Sequence, residues 1–339
     1  MPVKRLFILL IFVVTVAMTL DLWSVATERP VNPADTERVM VTIPTGSSAS
    51  DVAILLSDAG VIRSSLAFQV RVRVAGLASS IRAGTFVLYR SLDLSTIIST
   101  VTQEGTGEVA VTIPEGFTVA DIDALIAKLE LADSGAILDC ATRCDFETFE
   151  FLPSTAPRAG KGGRLEGYLF PDTYFVAPAE FVPKFFIERL LGTFRKRVIT
   201  DLSADIASAN RSLADIVTMA SLVEEETRTD EERPIVAGIL WKRLDAGMGL
   251  GVDATVRYVL GKRSGALTSQ DLAVDSLYNL RKYAGLPPGP IANPGLSSIR
   301  AALRPQSSTH WYYLHDGQGQ IHYADTNDAH NANKAKYLY

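Results

Sequence analysis

The chain has 339 residues, 47% hydrophobic and 21% charged, with a formal net charge of −5. It is too apolar for a disordered chain, long enough for two domains of modest size, and without the basic surplus or like-charge runs that a nucleic-acid-binding surface needs. Two cysteines are too few for a disulfide framework.

At the N-terminus, Lys4 and Arg5 precede an almost wholly apolar run over 6–20. Asp21 interrupts it, and Leu22, Trp23 and Val25 prolong it to roughly 20 residues, enough to cross a bilayer as a helix. The basic flank on the short side predicts that this end stays in the cytoplasm and that the rest lies outside it. A cleaved signal peptide is the rival, since Ser24 and Ala26 are small and suitably spaced. An extracytoplasmic body argues against ATP- and NAD-dependent chemistry, and neither G-x-x-x-x-G-K-[ST] nor G-x-G-x-x-G occurs. Residues 1–26 are thus read as tip and anchor, and the Pro-, Asn- and charge-rich 27–40 as a linker.

Structure is predicted to begin with a short β-branched strand over 39–43. Ser48 and Asp51 form a capping box ahead of an apolar helix beginning at Val52. The unit recurs about 70 residues later, a fixed-offset self-similarity that is read for duplication. Ile43-Pro44-x-Gly46-x-Ser48-x-x-Asp51-Val52 aligns with Ile113-Pro114-x-Gly116-x-Thr118-x-x-Asp121-Ile122. Duplication and the common physics of strand–turn–helix units both produce such a match. Between the copies, 86–89 reads as a strand and 92–101 as a helix. Cys140 and Cys144 form either one local bridge in an oxidising compartment or two buried thiols. Gly160–Gly163 with Lys161 reads as a flexible joint. A helical section runs from Pro183 to about Leu260, with clear helices over 213–228 and 231–244, Pro234 falling in the first turn of the second. The loop 283–295 is stiffened by Pro287, Pro288, Pro290 and Pro294, and 311–314 and 321–323 flank an Asp-Gly-Gln-Gly hairpin turn.

No G-x-S-x-G elbow, S-x-x-K or H-E-x-x-H is present. The four histidines, His310, His315, His322 and His330, cluster near the C-terminus, where hairpin contacts are a simpler role than a zinc site. Carboxylates remain. In the helix over 213–228, Leu213, Ile216, Val217, Ala220, Val223 and Thr227 share one stripe, and Glu224 falls near its middle. Glu225 and Glu226 lie on either flank. A carboxyl on an apolar stripe should hold its proton toward neutral pH and be able to donate it, as a glycosidase acid does. Pairing of Glu224 with an arginine, or solvation of the helix end by three acids, is the plainer alternative.

Several segments resemble the endolytic murein transglycosylase, or YceG-like, family. They are Leu165-Glu166-Gly167-Tyr168-Leu169-Phe170-Pro171-Asp172-Thr173-Tyr174, Ala220-Ser221-Leu222-Val223-Glu224-Glu225-Glu226-Thr227, Val252-Asp253-Ala254-Thr255-Val256-Arg257-Tyr258, and Ser276-Leu277-Tyr278-Asn279 followed by Gly285-Leu286-Pro287-Pro288-Gly289-Pro290-Ile291-Ala292-Asn293-Pro294-Gly295. The resemblance implies an α+β protein with one transmembrane helix, a small LysM-like peptidoglycan-binding subdomain over 41–107 and a mainly helical catalytic domain over 108–339. It implies cleavage between N-acetylmuramic acid and N-acetylglucosamine within nascent strands, leaving a 1,6-anhydromuramic end. Glu224 matches the family's catalytic position. Glu166, Tyr168, Tyr174, Thr227, Asp253, Tyr278 and Asn279 are the expected sugar-binding residues, with packing beneath the proline-rich loop as the alternative for the tyrosines. No cofactor or metal is expected. The implied partners are peptidoglycan strands, the cytoplasmic membrane and peptidoglycan synthases. The alternative function is a non-catalytic peptidoglycan-binding scaffold. The family often has Lys where this chain has Glu225, and the stretch around Cys140 and Cys144 matches no family motif.

Overall fold

The computed structural model describes residues 26–35, 37–102, 108–157 and 160–338. The anchor expected over 1–26 lies, except for its last residue, outside them. Among the described residues no helix is long and apolar enough to cross a membrane. The chain is mixed α+β and divides into two compact units.

The smaller unit ends at Val111 and takes in a second piece, Thr173–Phe181, from within the stretch expected to be catalytic domain. It contains β1 (Arg38–Ile43), α1 (Ala49–Asp58), α2 (Ser65–Val74), β2 (Gly84–Tyr89) and α3 (Leu94–Thr102). Strands β3 (Val109–Thr112) and β4 (Thr173–Val176) complete a sheet of order β1-β2-β3-β4. Strands β1 and β2 run antiparallel with Val41 opposite Phe86 and Val39 opposite Leu88. Alternation sets the buried face: Val41 and Ile43 point into a core with Val52, Leu56, Phe68 and Ile97, whereas Met40 is exposed. Helix α1 begins with the expected capping box: Ser48 Oγ accepts from the Asp51 N–H, and the Asp51 carboxylate accepts from the Ser48 N–H.

The larger unit holds α4 (Val119–Lys128), α5 (Ala136–Arg143), α6 (Pro183–Phe194), a π-turn, α7 (Ser203–Ser208), α8 (Leu213–Glu226), α9 (Glu232–Asp245), α10 (Asp253–Leu260), α11 (Ser269–Leu272), α12 (Leu296–Leu303), the hairpin β5 (Tyr312–His315) and β6 (Ile321–Ala324), and α13 (Asn327–Tyr337). Helix α8 is its axis. It packs on α9, α10 and α12, and every residue from Ile216 to Val223 is buried. A helix covered on all sides has no single apolar stripe, so its wheel could not by itself fix which way each acid of its last turn points. Cys140 and Cys144 are joined, tying the last turn of α5 to its C-cap.

The second strand–turn–helix copy repeats the local geometry of the first. Gly116 (φ 77°), like Gly46 (φ 83°), makes the turn, and Thr118 and Asp121 form the second capping box. The glycine stretch 160–163 is packed where a flexible joint was expected. The Lys161 and Gly162 N–H groups donate to the Tyr258 hydroxyl (2.9 and 3.4 Å), and a Cβ on Gly162 would overlap the Glu166 carboxylate. Three histidines are committed to the C-terminal region: His310 pairs with Asp325, His315 with Glu232 and His322 with Asp316.

Candidate active site

Three of the sequence motifs are drawn together by one side chain. Asn293, fully buried, accepts from the Leu169 N–H at Oδ1 (2.9 Å) and donates from Nδ2 to the Phe117 carbonyl (2.8 Å). Its backbone closes a second pair of bonds, with its N–H on the Phe117 carbonyl (2.8 Å) and its carbonyl receiving the Gly116 N–H (3.0 Å). The Ile291 N–H donates to Ser221 Oγ of α8 at 3.1 Å. A buried amide bonded through both its oxygen and its nitrogen in this way ties the loops together.

At the end of α8 these loops surround Glu224. Its Oε2 accepts from the Gly295 N–H at the start of α12 (2.9 Å), and its Oε1 lies 3.3 Å from Arg233 Nη2. The side chain is 8% exposed. Arg233, from α9, is held by Ser298 Oγ (2.9 Å) and by Asp230, and its Nη2 also lies 3.7 Å from Glu115 Oε2. The Glu115 carboxyl lies against Gly295, where any Cβ would overlap it. Burial, and then the charge of Glu224, hold Glu115 above the ordinary 4.5 of a glutamate.

The apolar surroundings expected for Glu224 are therefore replaced by an arginine and a helix-terminal N–H. Glu115 went unnoticed in the sequence because it occupies the variable place in Ile-Pro-x-Gly. The available signal was an acid next to a turn glycine inside a segment already singled out.

The two flanking acids are engaged as well. Glu226 accepts from the Tyr313 hydroxyl of β5 at 2.9 Å, and burial pushes it up to about 7. Glu225 is likewise pushed up to about 7, first by burial and then by its two acidic neighbours. It lines a cavity of about 210 Å³ together with Thr118, Asp121, Lys161, Arg257 and Arg263. A larger open cleft, about 840 Å³ and bordered by Arg211, Trp241, Lys242 and Trp311, contains none of the expected site residues.

The remaining expected residues are scattered. Tyr168 and Tyr278 are 1% and 0% exposed and Tyr174 is 5% exposed. Tyr168 packs on Phe151 and Phe194, and Tyr278 on Tyr258. None of these rings offers a face on which a sugar could stack, so the stacking role is replaced by packing. Asn279 is a buried brace, donating to the Leu272 and Val274 carbonyls (3.0 and 2.9 Å) and accepting from the Arg281 N–H. Thr227 caps α8 by donating to the Val223 carbonyl. Asp253 is spent on a bidentate pair with Arg281 (2.6 and 3.0 Å).

Glu166 is buried, accepting from the Val119 N–H (3.0 Å) and the Tyr258 hydroxyl (3.1 Å). Burial outweighs both bonds and raises it from 4.5 to about 7. Between those values the unfolded chain releases a proton that the native chain keeps, so stability falls as pH rises through this window. Glu225 and Glu226 add to the fall with the same sign. Glu166→Gln is expected to flatten the decline in melting temperature across the window; an unaltered slope would remove Glu166 from that role.

Fold and site together define a class: an α+β protein with acids at the end of one buried helix, held by an arginine and an asparagine-tied loop. Residues 41–336 match the model of the YceG-like family, and the chain belongs to it. It is 34% identical over 320 residues to the Bacillus subtilis endolytic murein transglycosylase, covering 91% of this chain and 88% of that one. It is 28% identical over 335 residues to the Streptococcus pneumoniae endolytic murein transglycosylase, covering 91% of this chain but only 60% of the length of that relative. A 2.6 Å crystal structure of a yceG-like protein from Listeria monocytogenes superposes with a TM-score of 0.67 at 28% identity, covering 87% of this chain and 98% of that one.

Proposed function

We propose that this protein is an endolytic murein transglycosylase that cuts the MurNAc–GlcNAc bond within glycan strands and leaves a 1,6-anhydroMurNAc end. The observation that carries the reaction is the environment of Glu224. Protonated, it gives its proton to the glycosidic oxygen as the C–O bond breaks. As a carboxylate, it removes the proton from the muramic acid 6-hydroxyl, whose oxygen closes on the anomeric carbon. No water is consumed, so one carboxyl performs both transfers. The contacts of Glu224 with the Gly295 N–H and Arg233 support this reading, since both favour the carboxylate that exists between the two steps. Glu115, on the other side of Arg233, is held above its ordinary value by burial and then by the charge of Glu224.

The rest of the proposal concerns setting. The order β1–α1–α2–β2 of the small unit supports a LysM-like, glycan-binding role for 41–107. The basic flank of the 6–20 run and the Cys140–Cys144 bridge support an anchored chain with its body outside the cytoplasm, near peptidoglycan synthases.

The test is to incubate the full-length protein, in detergent, with uncrosslinked strands and to analyse products and enzyme by mass spectrometry. The expected products carry an anhydro ring and no reducing end, and the enzyme retains its N-terminal run. Reducing ends would mean that water attacks with help from a second carboxylate. Intact strands would leave only the scaffold function, and an enzyme beginning at Thr27 would replace the anchor with a signal peptide.

A further inference from the structure

We infer that the cavity beside the acidic run is a subsite for a carboxylate carried by the muramic acid substituent, the peptide stem in the first place, so that the enzyme reads the stem as well as the sugars. This deepens the proposed function and rests on it.

Charge comes first. The cavity is lined by four cations, Lys161, Arg257, Lys262 and Arg263, against two acids, Asp121 and Glu225. Arg263 is paired with both acids, and Lys262 with Asp271 (2.6 Å), which is not part of the lining. That leaves Lys161 and one nitrogen of Arg257, whose charge otherwise acts on Glu225. The Lys161 side chain is exposed and has no ion-pair partner among the described residues; its Nζ lies over Gly261 at the end of α10. Arg257 donates from Nη2 to the Gly265 carbonyl (2.8 Å), but its Nη1 is buried with no hydrogen-bond partner among the described residues. A guanidinium nitrogen left unsatisfied in a cavity wall is costly unless something arrives to accept from it. With an ammonium on the same wall, the fitting acceptor is a carboxylate.

Size and place narrow the occupant. About 210 Å³ is below the roughly 300 Å³ at which pockets begin to take whole drug-sized ligands, so the cavity suits an end group rather than a disaccharide. Glu225 lines it, and the next residue along α8 is Glu224, so an anion bound there is attached to the substrate whose bond meets Glu224. On a murein strand the carboxylates belong to muramic acid's substituent: those of the stem peptide, or the lactyl carboxylate exposed once the stem is removed. The two sources share one chemistry and can be separated by experiment.

The probes are uncrosslinked strands with intact stems and the same strands stripped of stems by an amidase. Full-length protein carrying Glu224→Gln reads binding without turnover, and the otherwise unaltered chain reads kcat/KM. The expected result is a preference of about tenfold or more for stem-bearing strands, the scale of a charge-assisted hydrogen bond. Lys161→Gln and Arg257→Gln should each reduce it while leaving stripped strands unaffected. Lys161 is exposed, so its substitution cannot be confused with misfolding. If both variants weaken stripped strands and leave stem-bearing strands unaffected, the lactyl carboxylate is the occupant and the subsite stands with that source; equal weakening of both substrates would overturn a carboxylate subsite. Equal binding of the two strands by the parent, unchanged in both variants, would overturn the subsite. Binding preference without any cleavage would sustain the subsite while overturning the lytic function.

Discussion

Glu224→Gln is expected to abolish strand cleavage while leaving the melting temperature close to that of the parent. Gln keeps the shape of the side chain and an oxygen that can still receive the Gly295 N–H, but it can neither give nor take the reaction proton. General acid–base catalysis typically contributes about 10²–10⁴-fold, and in the proposed reaction a single group carries both transfers, so a loss at the upper end or beyond is expected. Glu226→Gln should retain most activity, because its bond runs to Tyr313 of the hairpin. The measurement is release of anhydro ends per enzyme under single-turnover conditions. Robust release by Glu224→Gln would move the reaction to another acid, of which Glu115, which shares Arg233 with Glu224, is the first to substitute.

Gly167→Ala is expected to be the most damaging change outside the chemistry. Gly167 has φ 89°, and a Cβ there would lie 2.5 Å from Pro290 Cγ and 2.9 Å from Val217 Cγ1. A proline ring cannot rotate away, and Val217 belongs to the buried face of α8. Overpacking of a tight core costs about 1–3 kcal/mol, and the left-handed backbone adds roughly 1–2 kcal/mol for a residue with a Cβ. For a unit of this size each kcal/mol lowers the melting temperature by about 2–4 °C. Gly317→Ala, in the hairpin turn with nothing within 4 Å of the added carbon, should leave it unchanged. Equal melting temperatures for the two variants would show that the loop yields to the extra carbon.

The elements governed by local chemistry were legible in the sequence. Ser48 with Asp51 and Thr118 with Asp121 announce their helices, and the alternation of Val39, Val41 and Ile43 sets the buried face of β1. The family motifs marked the segments that meet at the end of α8. Their roles were another matter. Tyr168 and Tyr278 looked like sugar platforms because an aromatic residue in a motif carries no sign of whether its ring faces solvent or core. The glycines at 160–163 suggested flexibility, although Gly162 is small because Glu166 occupies its side-chain space. Glu115 and Arg233 were invisible as a set: one lies in a turn and the other on a helix, and only tertiary structure makes Arg233 reach both Glu115 and Glu224. The apolar stripe singled out Glu224 among three adjacent acids, but the helix is buried all round, and Glu224 meets an arginine and an N–H in place of an apolar wall.

Asn293 joins Phe117 and Leu169, partners 176 and 124 positions earlier in the chain. During synthesis, then, the helix bearing Glu224 is finished well before the loop that supplies Asn293 and Gly295. A chain cut short anywhere between them would carry the acid without the N–H that donates to it or the amide that draws the motifs together. The surroundings of Glu224 are thus completed only when the ribosome has passed Gly295, 71 residues after the acid itself.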